Sequence, residues 1–554
     1  MSIKHILSLI ILLQIKICYT NNDCCQSTNS IFQSVVFTQN ECDNVTRFKC
    51  CDGDLFGKTF FSFRPQDSNS VRRILQYLNG KNFIDDNSFT RNLNITFEYQ
   101  HSFDSKDIAR WFFFNCKDCM TVGIPGNNQT FDIDGSQIGL SNGNILGGLQ
   151  PGSTGTVCAK PEVKNFIADF DFFFDLSEIK CGLWTRIDVP VVRCQTDFNL
   201  CSTGTGQTQQ AFPSGLFSVD CTSVNPVYSS ISQALNGDLS FGLVPALKYG
   251  KFPLCKQTKT GVAGFHFDLG YDFFKDDCSY FAGSMHVVAP TGSRPTAEFL
   301  FEPVIGANKS WQVGGTVEAY KIWQNCNDKS VGLYLYAVGT HLFKAEQSRL
   351  FALKNNGAGS QLLLLKQFNT DVTTVYAAER AANALCGQTK IGADFMFDGS
   401  LMLQFTYCKM FFNLGYNLWL RTKEKRSQHI FMNGFFEGEL GIKGNLPLSG
   451  PSTAPGITCE RNLTTASSST ISTPGSPDNA PNDINAIFIE PEDIDFGAPL
   501  NPTTWSNKFF GSLGLNYSIG CHPVYFSLAG EVEFGKKNYA LNQWGIIFDT
   551  GIDF

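Results

Sequence analysis

Long stretches of this chain alternate apolar and polar or small residues with strict period two, and no other feature restricts the fold as strongly. In "GVAGFHFDLGYDFF", Ala263, Phe265, Phe267, Leu269, Tyr271 and Phe273 take one face, while His266, Asp268 and Asp272 take the other with two glycines. In "KMFFNLGYNLWLR", Met410, Phe412, Leu414, Tyr416, Leu418 and Leu420 oppose Asn413, Asn417 and Arg421. In "PVYFSLAGEVEFG", Val524, Phe526, Leu528 and Phe534 oppose Ser527, Glu531 and Glu533. The last strand, "QWGIIFDTGIDF", sets Trp544, Ile546, Phe548, Ile552 and Phe554 against Asp549 and Asp553.

Strands in globular proteins cluster near about five or six residues, whereas a tilted strand crossing a bilayer needs about 9 to 11. These runs match the second length. Their polar faces suit a wet lumen, and aromatics at run ends (Phe273, Trp323, Phe534, Trp544, Phe554) suit interfacial girdles. The expected fold is all-β, a transmembrane antiparallel β-barrel of about 16 strands (14 to 18) with long external loops. Sixteen comes from 13 segments after residue 165 and three more near 57 to 65, 93 to 103 and 131 to 140.

Composition agrees with one greasy and one wet face. There are 51 Phe and 50 Gly, only 17% of residues are charged, and mean hydropathy is -0.09. A net charge of -7 provides no basic footprint, which excludes nucleic acid as a partner. Residues 1 to 20, "MSIKHILSLIILLQIKICYT", read as a secretory signal peptide. No later run is long and apolar enough for a spanning helix. Residues 21 to 56 form a Cys-rich N-terminal segment and residues 57 to 554 the barrel. Residues 445 to 507, rich in Ser, Thr, Pro and acid, read as a long exposed loop.

Of 20 cysteines, 19 follow the signal, and an exported chain forms disulfides with them. Cys116 and Cys119 would make half a zinc site, but no second half stands at workable spacing, so neither metal nor cofactor is expected.

Parity places "SEIK", "FKDDC", "QNCNDKS", "FDGS" (397 to 400), "TKEKRSQ" (422 to 428) and "GCHP" at one rim, with "SQLLLLKQF" (360 to 368) left as loop. Cys278, Cys326 and Cys521 then share that rim. The residues expected to line the pore are His266, Asp268, Asp272, Arg421, Glu439, Lys443, Glu531, Glu533, Asp549 and Asp553.

The terminal phenylalanine with its alternate apolar residues resembles Gram-negative outer-membrane β-barrels. Phrases such as "KTFFSFRP", "FHFDLGYDFF", "VVAPTGSRP" and "LGYNLWLRTKEK" are similar to porin-like or major-outer-membrane-type proteins of intracellular bacteria. The resemblance implies passive diffusion of small solutes and insertion among outer-membrane lipid. It also implies an assembly signal read at Trp544, Phe548, Ile552 and Phe554 by the barrel-assembly machinery. Homo-trimers and disulfide links to other envelope proteins are further implications.

A soluble, secreted β-rich binding or adhesin protein is the alternative. Its sequons at Asn44, Asn94, Asn128, Asn308, Asn462 and Asn516 would then carry glycans. An enzyme is not expected. "GLSNG" centres Ser141 in a G-x-S-x-G string, but Asn142-Gly143 reads as a turn rather than a helix start. "FDIDG" (131 to 135) lacks the later ligands of a calcium loop.

Overall fold

The structure, a computed structural model, describes residues 55–81, 91–124, 130–141, 155–204, 211–325, 329–370, 373–432, 439–478, 486–520 and 522–553. All belong to the compact unit Asn44–Phe554. The signal segment and most of the Cys-rich segment lie outside the described residues.

Twelve antiparallel strands close into one barrel: β1 (Arg91–Phe103), β2 (Glu162–Asp175), β3 (Leu183–Asp197), β4 (Phe265–Asp276), β5 (Ser279–Ala289), β6 (Gln312–Asn325), β7 (Lys329–Leu350), β8 (Cys386–Tyr407), β9 (Met410–Arg421), β10 (Thr504–Ile519), β11 (His522–Gly535) and β12 (Asn542–Asp553). Each strand pairs with its sequence neighbours, and β1 pairs with β12 to close the ring, with Leu93 opposite Ile552 and Tyr99 opposite Ile546. Two further strands, Gln257–Val262 on β3 and Glu424–Met432 on β8, attach outside the ring. The barrel therefore has twelve strands where the sequence spacing predicts about 16.

The surplus has specific origins. The 57 to 65 run is extended but is no strand of the ring; it crosses the mouth of the barrel, with Lys58, Phe60, Phe61 and Phe63 all buried. The 131 to 140 run is a two-residue bridge and a 3-10 turn. "FDGS" lies inside β8, where Asp398 pairs across to Val338 and Trp419 in unbroken register, so the Asp-Gly hairpin signal is overridden. "TKEKRSQ" opens a long connection at the opposite end, running into the strand Glu424–Met432. "SQLLLLKQF" stays out of the ring but is not loop: Ser360–Leu362 is a 3-10 turn and Leu364–Phe368 a strand of a small three-stranded sheet.

Long connections gather at one end and short turns at the other. The long connections are not bare loops. They pack into a cap with its own apolar core, including Phe112, Phe198, Phe252, Leu363 and Leu365. Disulfides Cys119–Cys158 and Cys221–Cys459 staple it, which removes Cys119 from any zinc site. The 445 to 507 stretch is exposed only in part: Leu448, Ile471 and Ile489 belong to this core, and Thr465, Ala466 and Ala498 are buried as well.

The outer wall is apolar on every side. Phe97, Phe166, Phe267, Met285, Val317, Leu335, Leu401, Leu414, Leu513, Leu528 and Phe548, spread over eleven of the strands, are all exposed on it. Trp505 and Trp544 sit near the cap end of their strands and Trp323 near the turn end of β6. Soluble proteins rarely expose a contiguous apolar patch of more than a few hundred Å², so this belt demands an apolar environment.

Candidate functional site: the occluded lumen

Residues 55–63 pack in the cap, where the Gly57 and Lys58 amides donate to the carbonyls of Phe113 and Trp111, and residues 64–81 run on into the barrel interior. An extended run leads through Pro65 into helix α1 (Ser70–Lys81). Asn69 caps the helix, its Oδ1 accepting from the Val71 amide at 3.2 Å. Asp398 of β8 accepts from the Ser70 amide at 3.1 Å and from its hydroxyl at 2.6 Å. This puts a wall carboxylate at the positive end of the helix.

Three arginines of this segment each meet two wall carboxylates. Arg64 lies 2.8 Å from both Asp398 and Glu533. Arg72 reaches Glu98 at 2.8 Å and Asp169 at 2.7 Å. Arg73 pairs with Asp171 at 3.0 Å and also with Asp188. Wall-to-wall pairs complete the layer, with Arg186 on Glu318 at 3.1 Å and Lys508 on Glu531 at 2.7 Å. A buried charge is tolerated only when paired and hydrogen-bonded, so the segment and the wall depend on one another.

Below the arginines, the apolar face of α1 (Val71, Ile74, Leu75) packs on inward aromatics of the wall, among them Trp184, Tyr280, Tyr334 and Phe510. Lumen-face glycines make room for these rings. A Cβ at Gly270 would fall 2.1 Å from Trp184, and one at Gly415 would fall 2.1 Å from Phe510. Glycines that look in sequence like wet wall are in fact ring sockets.

Eight of the ten residues expected in the pore do face the interior. His266 approaches Asp67 of the entering segment at 3.5 Å, and Asp268 pairs with His286 at 2.9 Å rather than with His266. Asp272 accepts from Trp184 at 2.8 Å, and Asp549 from Thr96 at 2.7 Å. Asp553 meets Asn92, and Arg421 donates to Ser62 of the segment. Glu531 and Glu533 hold Lys508 and Arg64 as above. These groups bind the segment or other residues of the wall; they do not line open water.

Glu439 and Lys443 require correction. Both belong to the long connection between β9 and β10, inside the cap. Burial, together with nearby Lys366, drives the Lys443 ammonium well below its ordinary pKa. Lys366 itself is pulled down to about 7 by burial, its Nζ donating to the carbonyls of Asn462 and Thr464 at 2.7 Å each.

Arg64, Arg72 and Arg73 are the functional residues that sequence reading overlooks. The signal available was "FRPQDSNSVRRI", a basic run where the barrel wall is acidic. Of the assembly-signal residues, Trp544 and Phe548 face outward and Ile552 is half-buried; Phe554 lies outside the described residues. Ser141 is buried, Asp132 accepts from the Thr121 amide, and Asp134 is the local acceptor for the Ser136 amide. Asn94 faces the lumen, bonded to Asp171 and Tyr525, and cannot carry a glycan.

No family model matches the chain, and no curated protein does. Among solved structures, an outer membrane channel of Pseudomonas putida is 9% identical over 85% of this chain and 100% of that one, with a TM-score of 0.31. A Pseudomonas aeruginosa FadL homologue is 8% identical over 89% and 99%, TM-score 0.27. The β domain of the Bordetella autotransporter BrkA is 8% identical over 84% and 100%, TM-score 0.24. At these scores the likeness carries no argument, and function must be read from the geometry.

Proposed function

We propose that this protein is a β-barrel of a bacterial outer membrane that passes small solutes and is held closed by its own residues 55–81. The observation that carries this reading is the outward apolar belt around a closed ring with a charged interior. A soluble barrel would reverse or blunt that polarity, which argues against the secreted binding protein.

Insertion by the assembly machinery through Trp544, Phe548, Ile552 and Phe554 and a trimeric state belong to the same reading. So does cross-linking in the envelope. Each of the five connections at the end opposite the cap carries one cysteine by sequence: Cys181, Cys278, Cys326, Cys408 and Cys521. Cys181 and Cys408 are unpaired and exposed, and Cys278 is unpaired and partly exposed; Cys326 and Cys521 lie outside the described residues. Thiols spaced around one rim, with none of the three described ones paired, suit disulfides to neighbours.

Detergent extraction tests the reading. The purified protein should require detergent and should migrate faster unheated than boiled. Recovery as a monodisperse species in plain buffer would contradict it.

A further inference from the structure

The lumen carries a charge imbalance that the segment only partly offsets. Among the described residues, eleven carboxylates are buried on the twelve strands against four basic side chains, Arg186, Arg349, Arg421 and Lys508. Into the lumen the segment brings Arg64, Arg72 and Arg73 against one acid, Asp67, while Lys58 stays in the cap, donating to the Gly497 carbonyl at 3.2 Å. Three of its cations each sit between two carboxylates drawn from different strands or from different parts of the wall.

A guanidinium is an organic monocation with planar donors. A wall that holds three of them in paired-carboxylate sites is already built to receive cations. An anionic lining also raises local cation concentration and repels anions. We infer that the conduit selects cationic solutes, inorganic monovalent ions and small guanidinium or ammonium compounds, and that residues 55–81 close it as a tethered competitor for the same sites. This rests on the channel reading above.

The test uses the full chain in planar bilayers under a KCl gradient. R64Q/R72Q/R73Q should raise conductance over wild type, with a potassium-over-chloride permeability ratio well above one. Arginine amide should reduce the potassium current through this variant, and glutamate should not. If the triple variant does not fold, R73Q alone and the wild type's own openings under voltage read the same ratio. A ratio near one, or one favouring chloride, would overturn the inference while leaving the channel intact. Absence of conductance from folded, heat-modifiable protein, variant and wild type alike, would instead overturn the channel reading and this inference with it.

Discussion

Asp398 shows how much one side chain organises. It receives Arg64, both polar groups of Ser70 and the Asn417 amide at 2.7 Å. Asp398→Ala should cost about 3 to 5 kcal/mol because it leaves a buried guanidinium half-compensated, seen as a lower urea midpoint in detergent. Lys366 predicts a pH effect in the cap. Its pKa falls to about 7 in the fold against the usual value near 10.4, so between these the unfolded chain binds more protons than the folded one. Stability therefore rises with pH across that window. Lys366→Met should remove this slope and stabilise the cap near neutrality by on the order of 1 to 3 kcal/mol, measurable by thermal unfolding at pH 6 and pH 9.

The strands themselves were legible. Alternation in the segments of β4, β9, β11 and β12 gives the correct outward face at Phe267, Leu414, Leu528 and Phe548. On β11, Leu528→Arg should destabilise the inserted barrel by about 2 to 4 kcal/mol. Arginine at the adjacent, lumen-facing Ser527 should lack that lipid penalty, and refolding into vesicles compares the two. Period two fails where a run is buried on both faces. "KTFFSFRP" alternates like a wall strand yet lies at the mouth of the barrel, because a protein core and lipid both accept Phe61 and Phe63. Nor does alternation separate β8 from a hairpin at "FDGS", since only pairing across to β7 and β9 decides that. The arginine sites escape sequence reading for the same reason: Arg72 and its partner Asp169 stand about a hundred residues apart in the chain.

At the scale of the whole molecule, a cap with its own core stands over a barrel whose lumen is filled. An open pore follows from the wall alone; the closure comes from chain that the wall encloses. The seven tryptophans divide cleanly between the two environments: Trp111, Trp184 and Trp419 are buried, while Trp311, Trp323, Trp505 and Trp544 are exposed on the outside. The most direct measurement is therefore tryptophan emission from protein reconstituted in vesicles with brominated acyl chains. The membrane-barrel account predicts strong quenching that disappears when the four outer tryptophans are changed to phenylalanine. Emission indifferent to brominated lipid, but quenched by aqueous acrylamide at those same four positions, would contradict it.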